Sequence, residues 1–391
     1  MSSSDQDHSY KLLGKRMAWA LGYVPLLNVP VTLPADTSSR AGTDLTDADV
    51  LGFRFSPSGG VSRLLIDCKT SSGRAVDRVL WVRGLQNILH LEELYLFKKK
   101  IPESARWLAH ELKVNCVDED ELHELDTRLG LHRLKGPYFD GTGYESIDTL
   151  LTFSKGSEYR TLVQFLRTGV WTLKPAHRVL TLLNLGQQNN LNRKLRVDDR
   201  AHMCLVLLAA RVLAISLGLL ISKLTVVDVL KVEARLREEL HGGAESLAQK
   251  VRFAEAIHQL TGDVDSEQTI DHKEFPRLLE EVNRLVIRRY ALNDAIRITD
   301  LALHYFAVGA GTLPRHLSGT DSSLSAKMAS DILALFVKSN SLDIGFTKTI
   351  IGLLSTPSEA PIGQVDGQHL ENTGKWEQVP LLAPLPPVEE K

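Results

Sequence analysis

The stretch LLIDCK, residues 64–69, places an aspartate and a lysine at the end of an otherwise apolar run. Charged groups at the end of a buried strand cost free energy unless something pairs with them. An Asp-x-Lys triplet of this kind is therefore either a solvated ion pair, worth about 0–1 kcal/mol, or part of a site. Alternate side chains of a strand share a face, so Leu65, Asp67 and Lys69 point one way and Leu64, Ile66 and Cys68 the other. Upstream, DVLGFRF (49–55) is separated from SRLLIDCKT (62–70) by SPSGG, whose Ser, Pro and Gly supply the angles of a hairpin turn. Antiparallel pairing then delivers Asp49 close to Asp67. Two converging carboxylates repel unless a cation sits between them, and hard oxygen ligands of this kind suit Mg²⁺ or Mn²⁺. Such an ion, keeping its waters, positions a nucleophilic water and neutralises phosphodiester charge, while the Lys69 ammonium orients that water or stabilises the pentacovalent transition state. The chemistry expected of Asp49, Asp67 and Lys69 is metal-dependent phosphodiester hydrolysis, with the two aspartates as metal ligands.

The elements that must carry these residues alternate between helical and strand-like patterns. Tyr10 to Leu21 has apolar residues at helical spacing, and GYVPLLNVPVTL then turns to β-type composition. A helix is expected over Ala75–Leu89, a strand over 94–100, a helix starting at Pro102 and a strand over 114–118, followed by a short helix. This order describes a mixed α/β region ending near residue 130. The DV and IDCK pair, preceded by a helix ending in LGYVP and followed by helix, strand, helix and strand, resembles the PD-(D/E)xK nuclease superfamily with its restriction-endonuclease-like fold. The resemblance covers residues 8–130 and implies a metal held by Asp49 and Asp67, with Lys69 serving the attacking water. It further implies Mg²⁺ or Mn²⁺ as cofactor, DNA as substrate, and a role in restriction, repair or defence. Two departures from the family pattern stand in the sequence. Ala48, not proline, precedes the first acid, and the opening helix around SYKLLGKRMAW lacks the glutamate that many members use as an additional ligand. The rival expectation is a nuclease-like fold that binds DNA, or acts as a scaffold with a partner, without cutting.

From about residue 145 the pattern is helical almost throughout, with periodic segments at 147–167, 201–221, 225–240, 245–260, 275–307 and 324–354. The expected organisation is a nuclease-like domain over 8–130, a helical domain over 145–355 for substrate, partner or self-association, and a disordered Pro-rich tail over 356–391. Met203–Ile221 approaches the length of a membrane span, but Arg211 sits at its centre, where insertion costs about 2.5–3.5 kcal/mol, so a buried core helix is the expectation. The most basic stretch lies within 152–200, and LGQQNNLNRKLR (185–196) reads as a loop able to contact phosphates and base edges. Arg74, Arg78, Arg193, Lys194 and Arg196 are the candidate nucleic-acid contacts. Arg83 lies on the same helix as Arg78, and Lys98–Lys100 either grip DNA or keep a sheet edge from pairing with another chain. Thr70–Gly73 reads as a polar turn.

A formal net charge of −2 offers no global basic field, so any nucleic-acid surface must be local. Three widely spaced cysteines form no CxxC pair, which fits a reducing cytoplasm and argues against zinc ribbons or disulfide scaffolds. The amino terminus lacks a signal peptide's apolar core, so the expected location is cytoplasmic. The sequence contains neither GxxxxGK[ST], HExxH nor GxSxG, the signatures of P-loop ATPases, zinc proteases and serine hydrolases.

Overall fold

The computed structural model describes residues 3–32, 44–69, 73–152, 159–224, 231–261, 272–314 and 322–355. The Thr70–Ser72 part of the polar turn and the 356–391 tail lie outside these residues. The chain opens with helix α1 (Ser3–Ala20) and strands β1 (Val24–Thr32), β2 (Asp44–Phe55) and β3 (Val61–Lys69). Helix α2 (Ala75–Leu89), β4 (Glu93–Lys98), α3 (Glu103–Glu111), β5 (Asn115–Val117) and α4 (Glu119–Leu129) follow. The five strands form one mixed sheet in the order β1-β2-β3-β4-β5. β1, β2 and β3 are antiparallel neighbours, and β3, β4 and β5 run parallel.

Local chemistry explains the element ends. The β2–β3 turn closes through Ser56 N–H donating to the Gly60 carbonyl at 2.8 Å, and Gly59 takes φ +93°, which an L side chain rarely adopts. Helix α2 ends where His90 takes the left-handed conformation. Helix α4 begins with a reciprocal cap in which the Asp118 side chain accepts from Glu121 N–H and the Glu121 side chain from Asp118 N–H.

The strand period separates two cores. Leu64, Ile66 and Cys68 of β3 join Val50, Met17, Ala18, Phe97 and Leu122 on the face covered by α1 and α4. Leu65 joins Leu51, Phe53 and Phe55 with Val79, Val82 and Leu85 of α2 in the larger core, which continues into the helical part. Alternation therefore puts Asp67 and Lys69 on the α2 side of β3.

The helical part comprises α5 (Thr142–Thr152), α6 (Arg160–Arg167), α7 (Pro175–Leu183), α8 (Leu185–Asn189), α9 (Leu191–Lys194) and α10 (Arg200–Lys223). After it come α11 (Val232–His241), α12 (Ala244–Thr261), α13 (Phe275–Ile287), α14 (Arg289–Ala307), α15 (Ser322–Ser339) and α16 (Gly345–Ser355). The described residues belong to one compact unit, and the larger core runs from the α2 side of the sheet into the helices. Three expectations change. The 185–196 stretch is not a loop, because α8 and α9 occupy most of it and Leu185, Leu191 and Leu195 anchor it in the core. The segments 275–307 and 324–354 each divide into two helices, the first at Arg288. β4 lies between β3 and β5, so Lys98–Lys100 do not protect a sheet edge.

Helix α10 is long and apolar enough to cross a membrane, and 94% of its apolar window is buried inside the protein. Asp199 caps its start by accepting from Ala201 and His202 N–H groups at 2.8 and 3.2 Å. Where the helix meets β2, Gly218 admits the Phe55 ring, and a Cβ there would lie 2.6 Å from Phe55 Cε1. Gly218→Ala is expected to lower stability by about 1–3 kcal/mol through overpacking. Chemical denaturation checks this, and a loss under about 0.5 kcal/mol would contradict the close approach.

Candidate active site at the parting of two strands

The registered β2–β3 pairs run from Phe55↔Val61 to Val50↔Ile66, one residue short of Asp49 and Asp67. Beyond that point β2 stays paired with β1 as far as Thr32↔Asp44, while β3 stays with β4 through Lys69↔Lys98. The two strands part here, and the side chain of Asp49 reaches across the parting. Its Oδ2 accepts a 2.8 Å hydrogen bond from Cys68 N–H, taking the place of a ladder carbonyl. This bond fixes the carboxylate at the parting, since a buried N–H left without a partner costs about 1–3 kcal/mol.

Asp49 and Asp67 are each only 3% exposed, so both charges must be compensated within the protein. Lys11 of α1 lies 2.8 Å from Asp49 Oδ1 and also donates to Asn28 Oδ1 at 2.7 Å. Asn28 lies on β1 with φ 51°, between the pairs Leu27↔Val50 and Val29↔Ala48. Lys69 Nζ stands 3.8 Å from Asp49 Oδ2, its side chain one-third exposed. Arg78, one turn into α2, grips Asp67 with both arms of its guanidinium: Nε donates to Oδ2 at 2.6 Å and Nη2 donates to Oδ1. Lys98, opposite Lys69 in the register, is buried beside them.

Burial pushes the Asp67 carboxyl above the usual carboxylate range, Arg78 pulls it back down, and the neighbouring Asp49 charge pushes it up again. That last effect marks the two carboxylates as electrostatic neighbours. Burial, followed by the Arg78 charge, lowers the Lys98 ammonium. Cys68 faces the opposite core, and burial followed by the charges of Asp49 and Asp67 pushes its thiol well up, which makes it a packing residue rather than a nucleophile.

The structure thus brings Asp49, Asp67 and Lys69 together. Two further residues of the cluster escape sequence reading in this role. Lys11 belongs to a helix whose contact with β2 is set by tertiary packing, and no local pattern announces it. Arg78 carries a usable signal: it lies in the first turn of the helix after the Asp67 strand, on the side to which Asp67 points. Expected as a DNA contact, it is instead committed to Asp67 and its side chain is only a quarter exposed. Arg74 is well exposed, with a loose 3.9 Å contact to Asp77. Arg193, Lys194 and Arg196 lie on and just after α9 in the helical part, with Arg193 and Arg196 exposed, and Arg196 pairs with Asp198 at 2.7 Å. Among the described residues no group of three or more His, Cys, Asp or Glu side chains gathers as a metal site. No family model, curated protein or solved structure matches the chain.

Proposed function

We propose that the chain is a metal-dependent nuclease that hydrolyses DNA phosphodiester bonds at the parting of β2 and β3. The observation that carries this reading is the convergence of two buried carboxylates with the Lys69 ammonium at one end of the sheet. The donor set fits a hydrated hard cation. A carboxylate offers about four lone-pair positions, and the protein donors on Asp49 and Asp67 leave positions free on each. Mg²⁺ characteristically takes one or two carboxylates and keeps several waters, so two aspartates suffice as protein ligands. When bound, the ion would supply charge neutralisation and an acidified water. Asp49 and Asp67 would hold it, with Cys68 N–H keeping Asp49 in place. Lys69, the more exposed cation, would meet the scissile phosphate and its attacking water. Exposed Arg74 would touch the DNA backbone beside it, and the helical part would contribute to substrate or partner selection.

A second reading is favoured by one observation: four cations, Lys11, Lys69, Arg78 and Lys98, surround two carboxylates. The opening helix supplies Lys11 and, around SYKLLGKRMAW, lacks the glutamate that many members of the resembling family use as an additional ligand. An excess of positive charge attracts phosphate without cutting it, as a DNA-binding or scaffold subunit requires. Incubating the purified chain with plasmid, linear duplex and single-stranded DNA, with Mg²⁺ or Mn²⁺, separates the two. The nuclease reading expects cleavage that EDTA abolishes; retention of all three DNAs uncut, with salt-sensitive binding, would replace it by the second.

A further inference from the structure

Beside α1, a cavity of about 240 Å³ opens between edge strand β1 and helices α5, α6, α10 and α14. One ordered water needs roughly 10–15 Å³ by the same kind of measure, so the space is far larger than a solvent site. Its walls are mixed: Leu26, Val29, Trp171 and Leu208 give an apolar lining, while Lys15 and Arg211 bring charge. Lys15 is 2% exposed, and among the described residues its ammonium has no hydrogen-bond or ion-pair partner; it rests on the Tyr138 ring at 3.6 Å from the centroid. A buried ammonium in that state lacks the acceptors that normally repay its desolvation. Arg211 spends Nη1 on Asp300 at 3.1 Å, and its buried Nε has no partner among the described residues. Two cationic side chains on the wall of one roomy, largely apolar cavity, the Lys15 ammonium without an acceptor, make a receptor for an anionic head carrying an apolar or planar body.

We infer that this cavity binds a small organic anion, its phosphate or carboxylate group held by Lys15 and Arg211 and its body lying against Trp171, Leu26 and Leu208. The cavity adjoins the Asp49–Asp67 centre through Asn28, which lies on its wall and accepts from Lys11, but the inference does not depend on the nuclease reading. Burial lowers the Lys15 ammonium to about 7, with Asp300 and Asp140 opposing and Arg211 reinforcing that shift. His304, which also lines the cavity, is lowered by burial and then by Lys15 to about 3, and stays neutral beside it. Asp47 and Arg167 are the other charged groups on the wall, the latter paired with Asp148 at 2.8 Å. The anion should therefore bind more tightly below pH 7 than above it, where Lys15 is neutral.

The test is calorimetric titration of the full chain with adenosine monophosphate, benzoate and inorganic phosphate at pH 6 and pH 8.5. One-site binding of at least one of the three is expected, weakened about ten- to hundred-fold by Lys15→Met, in line with loss of a hydrogen bond to a charged group, and weakened at the higher pH. Lys15→Met replaces the buried ammonium by an apolar chain of similar length and leaves Asp300 its Tyr138 and Arg211 partners, so it should fold, as circular dichroism would verify. Arg167→Ala, altering a more exposed part of the wall, offers a second variant and should weaken binding less. Absence of binding by all three probes, or affinity unchanged in folded Lys15→Met, would overturn the inference and leave Lys15 a structural cation held by Tyr138.

Discussion

Lys69→Ala is expected to lower the rate of DNA cleavage by about 10²–10³-fold, the range found when one preorganised stabiliser of developing charge is removed. The side chain is suited to that role: Lys69 is the most exposed of the cations bound to the two aspartates, and its 3.8 Å separation from Asp49 leaves it free to turn toward a phosphate. Its loss should fall on the chemical step and leave metal uptake intact, because it supplies no ligand. Asp67→Ala should abolish cleavage to at least the same degree by removing a ligand, and it also strands the Arg78 guanidinium. Single-turnover cleavage of a labelled duplex distinguishes these effects from weakened DNA binding. Rates within about threefold of the unmodified chain in both variants would remove Asp67 and Lys69 from the mechanism.

Asp300→Ala is expected to cost about 3–5 kcal/mol of stability, because removing one partner of a buried charge network leaves the others uncompensated. Asp300 is fully buried on α14 and accepts from the Tyr138 hydroxyl at 2.7 Å and from Arg211 of α10 at 3.1 Å. Burial alone would raise its carboxyl, but Arg211, followed by His304, Lys15 and the Tyr138 hydrogen bond, outweighs it and holds the group below the usual aspartate range. A depressed folded-state value stabilises the protein above the unfolded value, and that contribution is lost as pH falls through the folded one. Urea unfolding of Asp300→Ala should therefore show its largest deficit at neutral pH and a smaller one in acid. Tyr138→Phe, which removes a single donor, should cost about 1 kcal/mol. A deficit below about 1 kcal/mol in Asp300→Ala would mean that the network is not integral to the fold.

Much of the α/β region was legible because its signals are local. The apolar run closed by Asp67 and Lys69, the SPSGG turn before it and the helix over Ala75–Leu89 each follow from residues within a few positions of one another. The proximity of Asp49 to Asp67 was legible for the same reason, since a short hairpin leaves one register. The parting of the strands was not, because it depends on β2 following β1 while β3 follows β4, and no residue near position 49 encodes that choice. Lys11 and Arg78 were hidden as carboxylate partners because their roles arise from helices docking on opposite faces of the sheet. In the helical part, periodicity located the apolar faces but not the breaks. The turn at Arg288 falls between two segments whose apolar spacing continues almost unbroken, and α8 and α9 are too short to show a period.

Calorimetric titration with Mn²⁺ of the unmodified chain and of Asp67→Asn probes the shared cation without relying on any DNA substrate. One Mn²⁺ per chain, lost or greatly weakened when the Asp67 charge is removed while the protein remains folded, is the predicted result. No uptake by the unmodified chain, or equal uptake by both proteins, would contradict a metal held between Asp49 and Asp67.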